Sequence, residues 1–187
     1  RNPFIQDDLL NNRKRRAALI QALHHRLDQI ATRAEGNPLV EKLLSASKLA
    51  VKEFETWFVE QRQLRQRIQT RFRKITRLDN VAFDGLARVS HVTDASDWRV
   101  EFPVAVISPD TETEVQAIVA ACIEMGLSII PRGGGTGYTG GAVPLTPNSI
   151  VINTEKLETL GPVVMKPISG SDVPVATIRA EAGVVTK

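Results

Sequence analysis

The stretch from Pro131 to Pro144 carries the clearest chemistry in this sequence, because six of its fourteen residues are glycine. These glycines stand at positions 133, 134, 135, 137, 140 and 141. No side chain in the stretch has the type or spacing of a nucleophile, a general base or a set of metal ligands. Glycine instead uncovers backbone N–H groups and makes positive φ angles accessible. Successive N–H groups in such a turn form a concave anion site, so the expected ligand is a phosphate or a diphosphate.

Two common phosphate motifs do not fit this stretch. Residues 135–140 read G-x-G-x-x-G, but that dinucleotide fingerprint requires the glycines to open a helix. Here Pro144 and Pro147 follow closely, and the next ordered segment has a strand pattern. A P-loop needs a lysine followed by serine or threonine after its glycines, and the stretch contains no lysine. Both motifs therefore fail on their context.

The charge of the chain divides it into two parts. Residues 1–78 contain 17 Lys and Arg against 8 Asp and Glu, whereas residues 79–187 contain 7 against 13. This contrast favours a domain boundary near residue 78. The single cysteine excludes a disulfide framework within the chain, and no apolar run approaches the ~20 residues needed to span a bilayer.

The basic part has helical periodicity. One apolar face recurs through residues 19–34, and Gly36-Asn37-Pro38 then ends one helix and begins another. The second apolar run extends through residues 39–75, so it outruns its partner and its distal half must lie against something else. Asp7 and Asp8 are expected near the start of the first helix, where they complement the helix dipole. A short connection predicts an antiparallel hairpin.

The acidic part predicts a β-α-β unit. Residues 103–108 form a buried-strand pattern. Asp110 or Thr111 can cap the helix that follows, with Glu114 three residues after Thr111 as in a capping box, and Gly126 ends that helix. Residues 127–130 form the next strand, which delivers the glycines at its C-terminal end, where ligands bind in α/β folds. Further strands are expected at 149–153 and 175–182, with a long hairpin or surface loop at 161–174.

The glycine stretch resembles the diphosphate loop of FAD-linked oxidoreductases of the p-cresol methylhydroxylase/vanillyl-alcohol oxidase superfamily. The branch that oxidises D-lactate, glycolate and D-2-hydroxyglutarate shows the greatest likeness. The resemblance covers roughly residues 84–187, and the segments that carry it besides the loop are 94–103, 106–109, 111–115 and 180–184.

The expected fold is α+β. Helical periodicity predicts an N-terminal antiparallel helical hairpin at 1–78, and the resemblance implies that the first α/β lobe of a p-cresol methylhydroxylase-type FAD-binding domain follows at 79–187. The second half of the flavin site and a cap domain are expected outside this sequence. The cap would supply the catalytic base, the substrate-binding residues and any metal site, so no catalytic or metal-binding residue is assigned here. This piece alone is expected to bind FAD weakly or not at all and to catalyse nothing.

The predicted cofactor-binding residues lie in the loop and in one later turn. Arg132 places charge near the diphosphate or forms a surface salt bridge. Thr136 offers a hydroxyl or N–H group, and it stands where covalently flavinylated relatives have histidine, so non-covalent FAD is expected. Tyr138 either contacts the flavin or packs the loop, and Gly183 approaches the cofactor. The remaining predicted contacts are Gly133, Gly134, Gly135, Gly137, Gly140, Gly141, Ala142 and Pro144. Cys122 and the three histidines are interpreted as structural or surface residues.

The function that the resemblance implies is FAD-dependent dehydrogenation of a small D-2-hydroxy acid by hydride transfer. An electron acceptor is then required: a quinone, a cytochrome or an iron–sulfur partner domain. The location expected is cytoplasmic, with peripheral membrane association left open. The basic helix end, residues 62–77, contacts solvent, the acidic domain or an anionic partner; it carries no nucleic-acid-binding motif, so no specific nucleic acid is expected. The alternative function is a helical interaction or assembly module of a larger flavoprotein complex.

Overall fold

The computed structural model describes residues 2–34, 36–170 and 173–185. The chain forms two units, Arg1–Ile68 and Gln69–Lys187. This division falls inside a helix, Pro38–Phe72, and therefore precedes the boundary predicted near residue 78. The balance of charged residues changes sign near the end of this helix, whereas the division into two compact units falls within the helix. The domain limits 1–78 and 79–187 stay a prediction.

The first unit begins with a short helix that the sequence analysis missed. Helix α1 spans Pro3–Asn11, and the side chain of Asn2 caps it by accepting from the Phe4 and Ile5 N–H groups at 3.0 and 3.3 Å. Asn12 then caps α2, Arg13–Arg33, by accepting from Arg15 N–H at 3.1 Å. The placement of Asp7 and Asp8 near the start of the long first helix is wrong, because both lie within α1 and its first turn contains no acidic residue.

Helix α2 and helix α3, Pro38–Phe72, confirm the antiparallel hairpin. Arg16 of α2 stands over the Phe58 ring, 5.8 Å from its centroid. Further along α2, His24 Nε2 lies 2.6 Å from Glu55 Oε1. Later still, Asp28 pairs with Lys48, which is earlier in α3. Partner positions fall along α3 as they rise along α2, so the two helices run in opposite directions.

The first half of α3 exposes the apolar face that periodicity predicted as packed. Leu39 is 77% exposed and Leu43 is 69% exposed. Half-buried residues follow another phase instead, at positions 40, 44, 47 and 51. Two neighbouring apolar stripes share this part of the helix, and a 3.6-residue period does not tell which of them meets α2. A buried apolar cluster of this unit contains Leu9, Leu10 and Phe58, with Leu19 and Trp57 packed against it.

The second unit is built on a four-stranded sheet. Its strands are β1 Val81–Ala82, β2 Ala105–Ile107, β3 Ser128–Arg132 and β4 Ser149–Asn153, in the spatial order β1-β2-β4-β3. Strands β2, β4 and β3 are parallel, and β1 is antiparallel at the edge. The short helix α4, Gly85–Ser90, precedes β2. The predicted β-α-β unit is confirmed, with β4 inserted between its two strands.

Helix α5, Glu112–Glu124, connects β2 to β3 and has the predicted cap. Thr111 Oγ1 accepts from Glu114 N–H at 3.2 Å, and the Glu114 carboxylate accepts from Asp110 N–H at 2.9 Å. Gly126, at φ 66°, ends the helix in a left-handed conformation. The buried face includes Ile118, Ala121 and Cys122, and burial raises the pKa of the Cys122 thiol to about 11.

A separate two-stranded sheet lies in the last part of the second unit. Strand β5, Val164–Lys166, pairs antiparallel with β6, Val175–Thr177. The strand predicted over 175–182 is therefore too long. The backbone of Arg179 and Glu181 hydrogen-bonds to Gly161 and Thr159 instead of extending the pairing with β5. In the part of the chain that the structure describes, no helix is long and apolar enough to cross a membrane.

Candidate diphosphate-binding site

The glycine loop starts at the C-terminal edge of the parallel strands. Arg132, the last residue of β3, pairs with Asn153, the last residue of β4. Residues 133–148, all of which are described, contain no helix. The rejection of the dinucleotide fingerprint is thus confirmed, since the glycines do not open a helix. The loop occupies the edge at which α/β sheets bind their ligands.

The side chain of Arg132, at the end of β3, holds the beginning of the loop in position. Its Nη1 donates to the Thr93 carbonyl oxygen at 2.6 Å. A Cβ placed on Gly135 would lie 2.3 Å from Arg132 Nη2, and Gly135 has a left-handed φ of +67°. The left-handed φ therefore favours glycine at 135, and a Cβ there would also displace the Arg132 guanidinium from its place beside the loop. The guanidinium is half-buried and lies beside the loop backbone.

Trp98 supports the other end of the loop in the same manner. A Cβ on Gly140 would lie 2.9 Å from Trp98 Cε3, and Gly140 has a φ of +73°. Just beyond, Val143 and Pro144 are buried, and the Pro144 carbonyl accepts from Glu101 N–H at 3.1 Å. Pro144, predicted as a cofactor contact, is thus placed among the buried residues that anchor the loop.

Asp94 ties the same supporting segment to the loop. One carboxylate oxygen accepts from the N–H of Ser96 at 2.9 Å and from its hydroxyl, and the other accepts from Ala142 N–H at 3.5 Å. The side-chain hydrogen bond from Ser96 is the main cause that holds the pKa of Asp94 below its usual value. We call residues 93–98 the supporting segment. Sequence reasoning gave Asp94 and Trp98 no role of their own, although Asp-x-Ser is a recognisable side-chain turn signal.

Four other glycines of the loop have no such intramolecular reason. A Cβ on Gly137 would meet nothing within 4 Å, and none of the four has a left-handed φ. At the other three, the nearest atom would lie 3.6 to 3.7 Å away, which is ordinary contact distance. We call these the open glycines: Gly133, Gly134, Gly137 and Gly141. Their missing side chains leave backbone uncovered on the exposed side of the loop, and a diphosphate fits that surface because its oxygens must approach N–H groups closely.

The side chains between the open glycines point into solvent. Thr136 is exposed, and Tyr138 is 83% exposed, so Tyr138 does not pack the loop down. Ala142 is half-buried beside Asp94. The structure therefore brings the predicted residues 132–142 together as one exposed surface on a fixed support.

Gly183 follows Ala182, whose carbonyl lies near the start of this loop, but the glycine requirement at 183 is structural. A Cβ there would lie 2.1 Å from the Thr154 carbonyl oxygen and 2.8 Å from that of Leu157. Thr154 Oγ1 donates to the Ala182 carbonyl at 3.1 Å, and that carbonyl oxygen lies 3.7 Å from a Cβ placed on Gly133. The cofactor contact of Gly183 stays a prediction, since close packing on residues 154–157 already explains the glycine.

His91 hydrogen-bonds to the last residue of β4, a contact that the sequence did not predict. Its Nδ1 lies 2.8 Å from the Ala87 carbonyl oxygen, which can only accept, so Nδ1 carries a proton. Its Nε2 then accepts from the Asn153 amide at 3.0 Å. Asn153 is buried at 3% exposure. These bonds orient Asn153, the residue at the sheet edge next to the loop.

Comparison with known proteins finds a family match for the segment that contains this loop. Residues 103–187 match the family described as FAD binding domain. Residues 1–56 match a second family, described as "Protein of unknown function (DUF3683)". The open glycines of the FAD-binding segment thus suit the diphosphate of FAD, which supplies the phosphate oxygens that the exposed backbone requires.

Two curated relatives are D-lactate dehydrogenases. The D-lactate dehydrogenase of Archaeoglobus fulgidus is 46% identical over 55 residues, which is 29% of this chain and 12% of the relative. The "Probable D-lactate dehydrogenase, mitochondrial" of Danio rerio is 32% identical over 93 residues, 50% of this chain and 18% of the relative. The chain thus spans less than a fifth of either relative. Among solved structures, p-cresol methylhydroxylase with substrate bound matches 52% of this chain and 20% of its own, at 22% identity and a TM-score of 0.45.

Proposed function

We propose that residues 132–142 hold the diphosphate of non-covalent FAD in a dehydrogenase that oxidises a small D-2-hydroxy acid. The observation that carries this proposal is the division of the loop glycines. Two are explained by the fold, whereas four leave open backbone in a segment that matches the FAD-binding family. When bound, FAD supplies the hydride acceptor, and the protein contributes binding, orientation and electrostatics.

Different residues of the loop have different roles in binding the diphosphate. The N–H groups at the open glycines and at Thr136 donate to the phosphate oxygens. Arg132 adds positive charge under the loop while its bond to the Thr93 carbonyl keeps the loop in position. Asp94 is acidic, but its carboxylate oxygens accept hydrogen bonds from Ser96 and Ala142. Its negative charge therefore interacts with these N–H groups and not with the diphosphate.

Thr136 supports a non-covalent cofactor. The resemblance places it where covalently flavinylated relatives have the histidine that bears the flavin, and a threonine hydroxyl does not form that bond. After acid precipitation of the complete protein, all flavin is expected in the supernatant. Flavin retained in the precipitate would contradict the non-covalent proposal.

The substrate class rests on the two relatives, both named as D-lactate dehydrogenases. The test uses the complete protein that contains this chain, purified with its flavin. Anaerobic D-lactate is expected to bleach the visible flavin absorption, and L-lactate to leave it unchanged. Bleaching by neither enantiomer, in protein that binds FAD, would remove the substrate class while leaving the cofactor site. The acceptor, a quinone, a cytochrome or an iron–sulfur partner, follows from which of them reoxidises the bleached protein.

A second role, as an assembly module, is favoured by one observation on the helical unit. Leu39 and Leu43 expose most of their surface on α3, and apolar faces of this kind mark interaction surfaces. Light scattering on the wild type and on Leu43→Gln should show a larger mass for the wild type alone. Equal monomeric masses for both proteins would argue against this role.

A further inference from the structure

The helical unit contains a groove between α2 and α3 that the proposed FAD site does not use. The groove encloses about 410 Å³, a volume within the range of small-molecule sites. Its lining residues are Arg13, Arg16, Ala17, Ile20, Gln21, His24, Glu55, Phe58, Val59 and Arg62.

One end of the groove is strongly cationic. Arg16 is half-buried, and its Nη1 donates to the carbonyl oxygens of Leu9 and Leu10 at 2.6 and 3.1 Å. Burial lowers the pKa of Arg16, and the neighbouring charges of Arg62 and Arg13 lower it further. Three guanidinium groups therefore repel one another here. Among the residues that the structure describes, no carboxylate pairs with Arg13 or Arg62.

The other end of the groove differs in charge. Glu55 is the acidic residue of the lining, and it is held by His24 at 2.6 Å. Between the two ends lie apolar side chains, Ile20 from α2 and Phe58 and Val59 from α3. Along α3, Glu55 and Arg62 are about 10 Å apart at 1.5 Å per residue, and along α2 Arg13 and His24 are about 16 Å apart.

We propose that this groove binds an organic anion whose single carboxylate or phosphate head contacts Arg13 and Arg62 and whose apolar chain lies along Ile20, Phe58 and Val59. The head relieves the repulsion among the three arginines, which Glu55 is too far along the groove to neutralise. Glu55 at the far end disfavours a second anionic group. The ligand class is therefore an amphiphile with one charged end, and the site is independent of FAD.

Trp57 provides a local reporter for binding. Its ring packs against Phe58, with centroids 5.0 Å apart, and the chain contains one other tryptophan, Trp98. In the full chain with Trp98→Phe, Trp57 fluorescence is followed during titration with decanoate and with decyl phosphate, each below its critical micelle concentration. Inorganic phosphate and 1-decanol are the separate controls for head and chain.

Both amphiphiles are expected to produce saturable changes, and each control to bind at least about tenfold more weakly, since charge-assisted hydrogen bonds and apolar burial both contribute. Arg62→Gln should weaken amphiphile binding about tenfold. Arg67→Gln is the matched control, because Arg67 is exposed on the same helix and does not line the groove; it should leave affinity unchanged.

Three results would overturn the proposal. The first is the absence of saturable binding of either amphiphile. The second is equal weakening by Arg62→Gln and Arg67→Gln, which would indicate a general charge effect. The third is amphiphile binding that Arg62→Gln leaves unchanged, which would place the ligand elsewhere, such as the glycine loop. Circular dichroism of each variant should match the wild type, because both substitutions are at exposed helical positions.

Discussion

Strand β4 and the glycine loop meet at one edge of the sheet, yet different forces determine their residues. All five residues of β4 are buried, and Ile150 and Val151 have no exposed surface. In the loop, Gly133, Gly134, Gly137 and Gly141 are exposed. Packing in the core explains the apolar residues of the strand, Ile150, Val151 and Ile152. In the loop, contacts within the protein explain the glycine at 135 and 140. They do not explain the open glycines, and a ligand must be considered there.

The same difference recurs inside the loop. Gly135 and Gly140 combine left-handed φ angles with side chains directly above their Cα atoms, whereas the open glycines have neither feature. Fold and function can therefore be separated by substitution at neighbouring positions. Substitutions in β4 and at Gly135 or Gly140 should change the free energy of unfolding. Substitutions at the open glycines should change FAD affinity.

The largest effect is expected in the strand. Ile150 pairs with both Ala105 and Ile129 and is fully buried. Ile150→Ala should lower the free energy of unfolding by about 2–5 kcal/mol, because it leaves a cavity in the core. Urea unfolding followed by circular dichroism measures this. A loss below about 1 kcal/mol would show that β4 is not the packed centre of the unit.

Gly140→Ala should cost less, about 1–3 kcal/mol, from the left-handed φ and the contact with Trp98. Trp98→Ala removes the contact but not the strained backbone. The double variant should therefore recover part of the lost stability in the same urea experiment. If Gly140→Ala and the wild type unfold at the same urea concentration, the left-handed φ and the Trp98 contact do not constrain the loop.

Gly137→Ala should affect binding more than folding. A Cβ there meets nothing within 4 Å, so the free energy of unfolding should change by less than about 1 kcal/mol. FAD affinity, measured by calorimetry, should fall about tenfold, since the methyl group keeps phosphate oxygens from the N–H groups. Unchanged affinity would assign the open glycines no part in binding.

The smallest effect concerns the pH dependence of stability through Asp94. Its pKa is lowered in the folded state, so the stability that it contributes is present above its unfolded pKa, about 4. That contribution is lost as the pH falls through the folded pKa. Asp94→Asn should therefore be less stable than the wild type at neutral pH, and the gap should narrow below about pH 4. Thermal melts across this range test it, and a constant gap would contradict the role of the ionised carboxylate.

Local patterns in the sequence predicted the elements that local physics determines. The β4 limits, the Thr111 cap and the Gly126 end of α5 all follow from residues close in the chain. The loop itself was also predicted, because its glycines exclude a helix in the presence of the following prolines.

What could not be predicted depends on contacts between distant residues. Arg132 reaches Thr93 across 39 positions, and neither residue signals the other in the sequence. Gly183 had a predicted cofactor contact, whereas the backbone of 154–157 already requires its glycine. In the helical unit, two apolar stripes compete on α3, so the exposure of Leu39 and Leu43 required knowledge of where α2 lies.

The most direct test of the account is a titration of the ¹⁵N-labelled chain with FAD, followed by amide NMR shifts. Saturable shifts are expected at the N–H groups of Gly133, Gly134, Thr136, Gly137 and Gly141, with the core amides of β4 unchanged. A titration that saturates without moving any of these loop amides would contradict the assignment of the diphosphate to the open glycines.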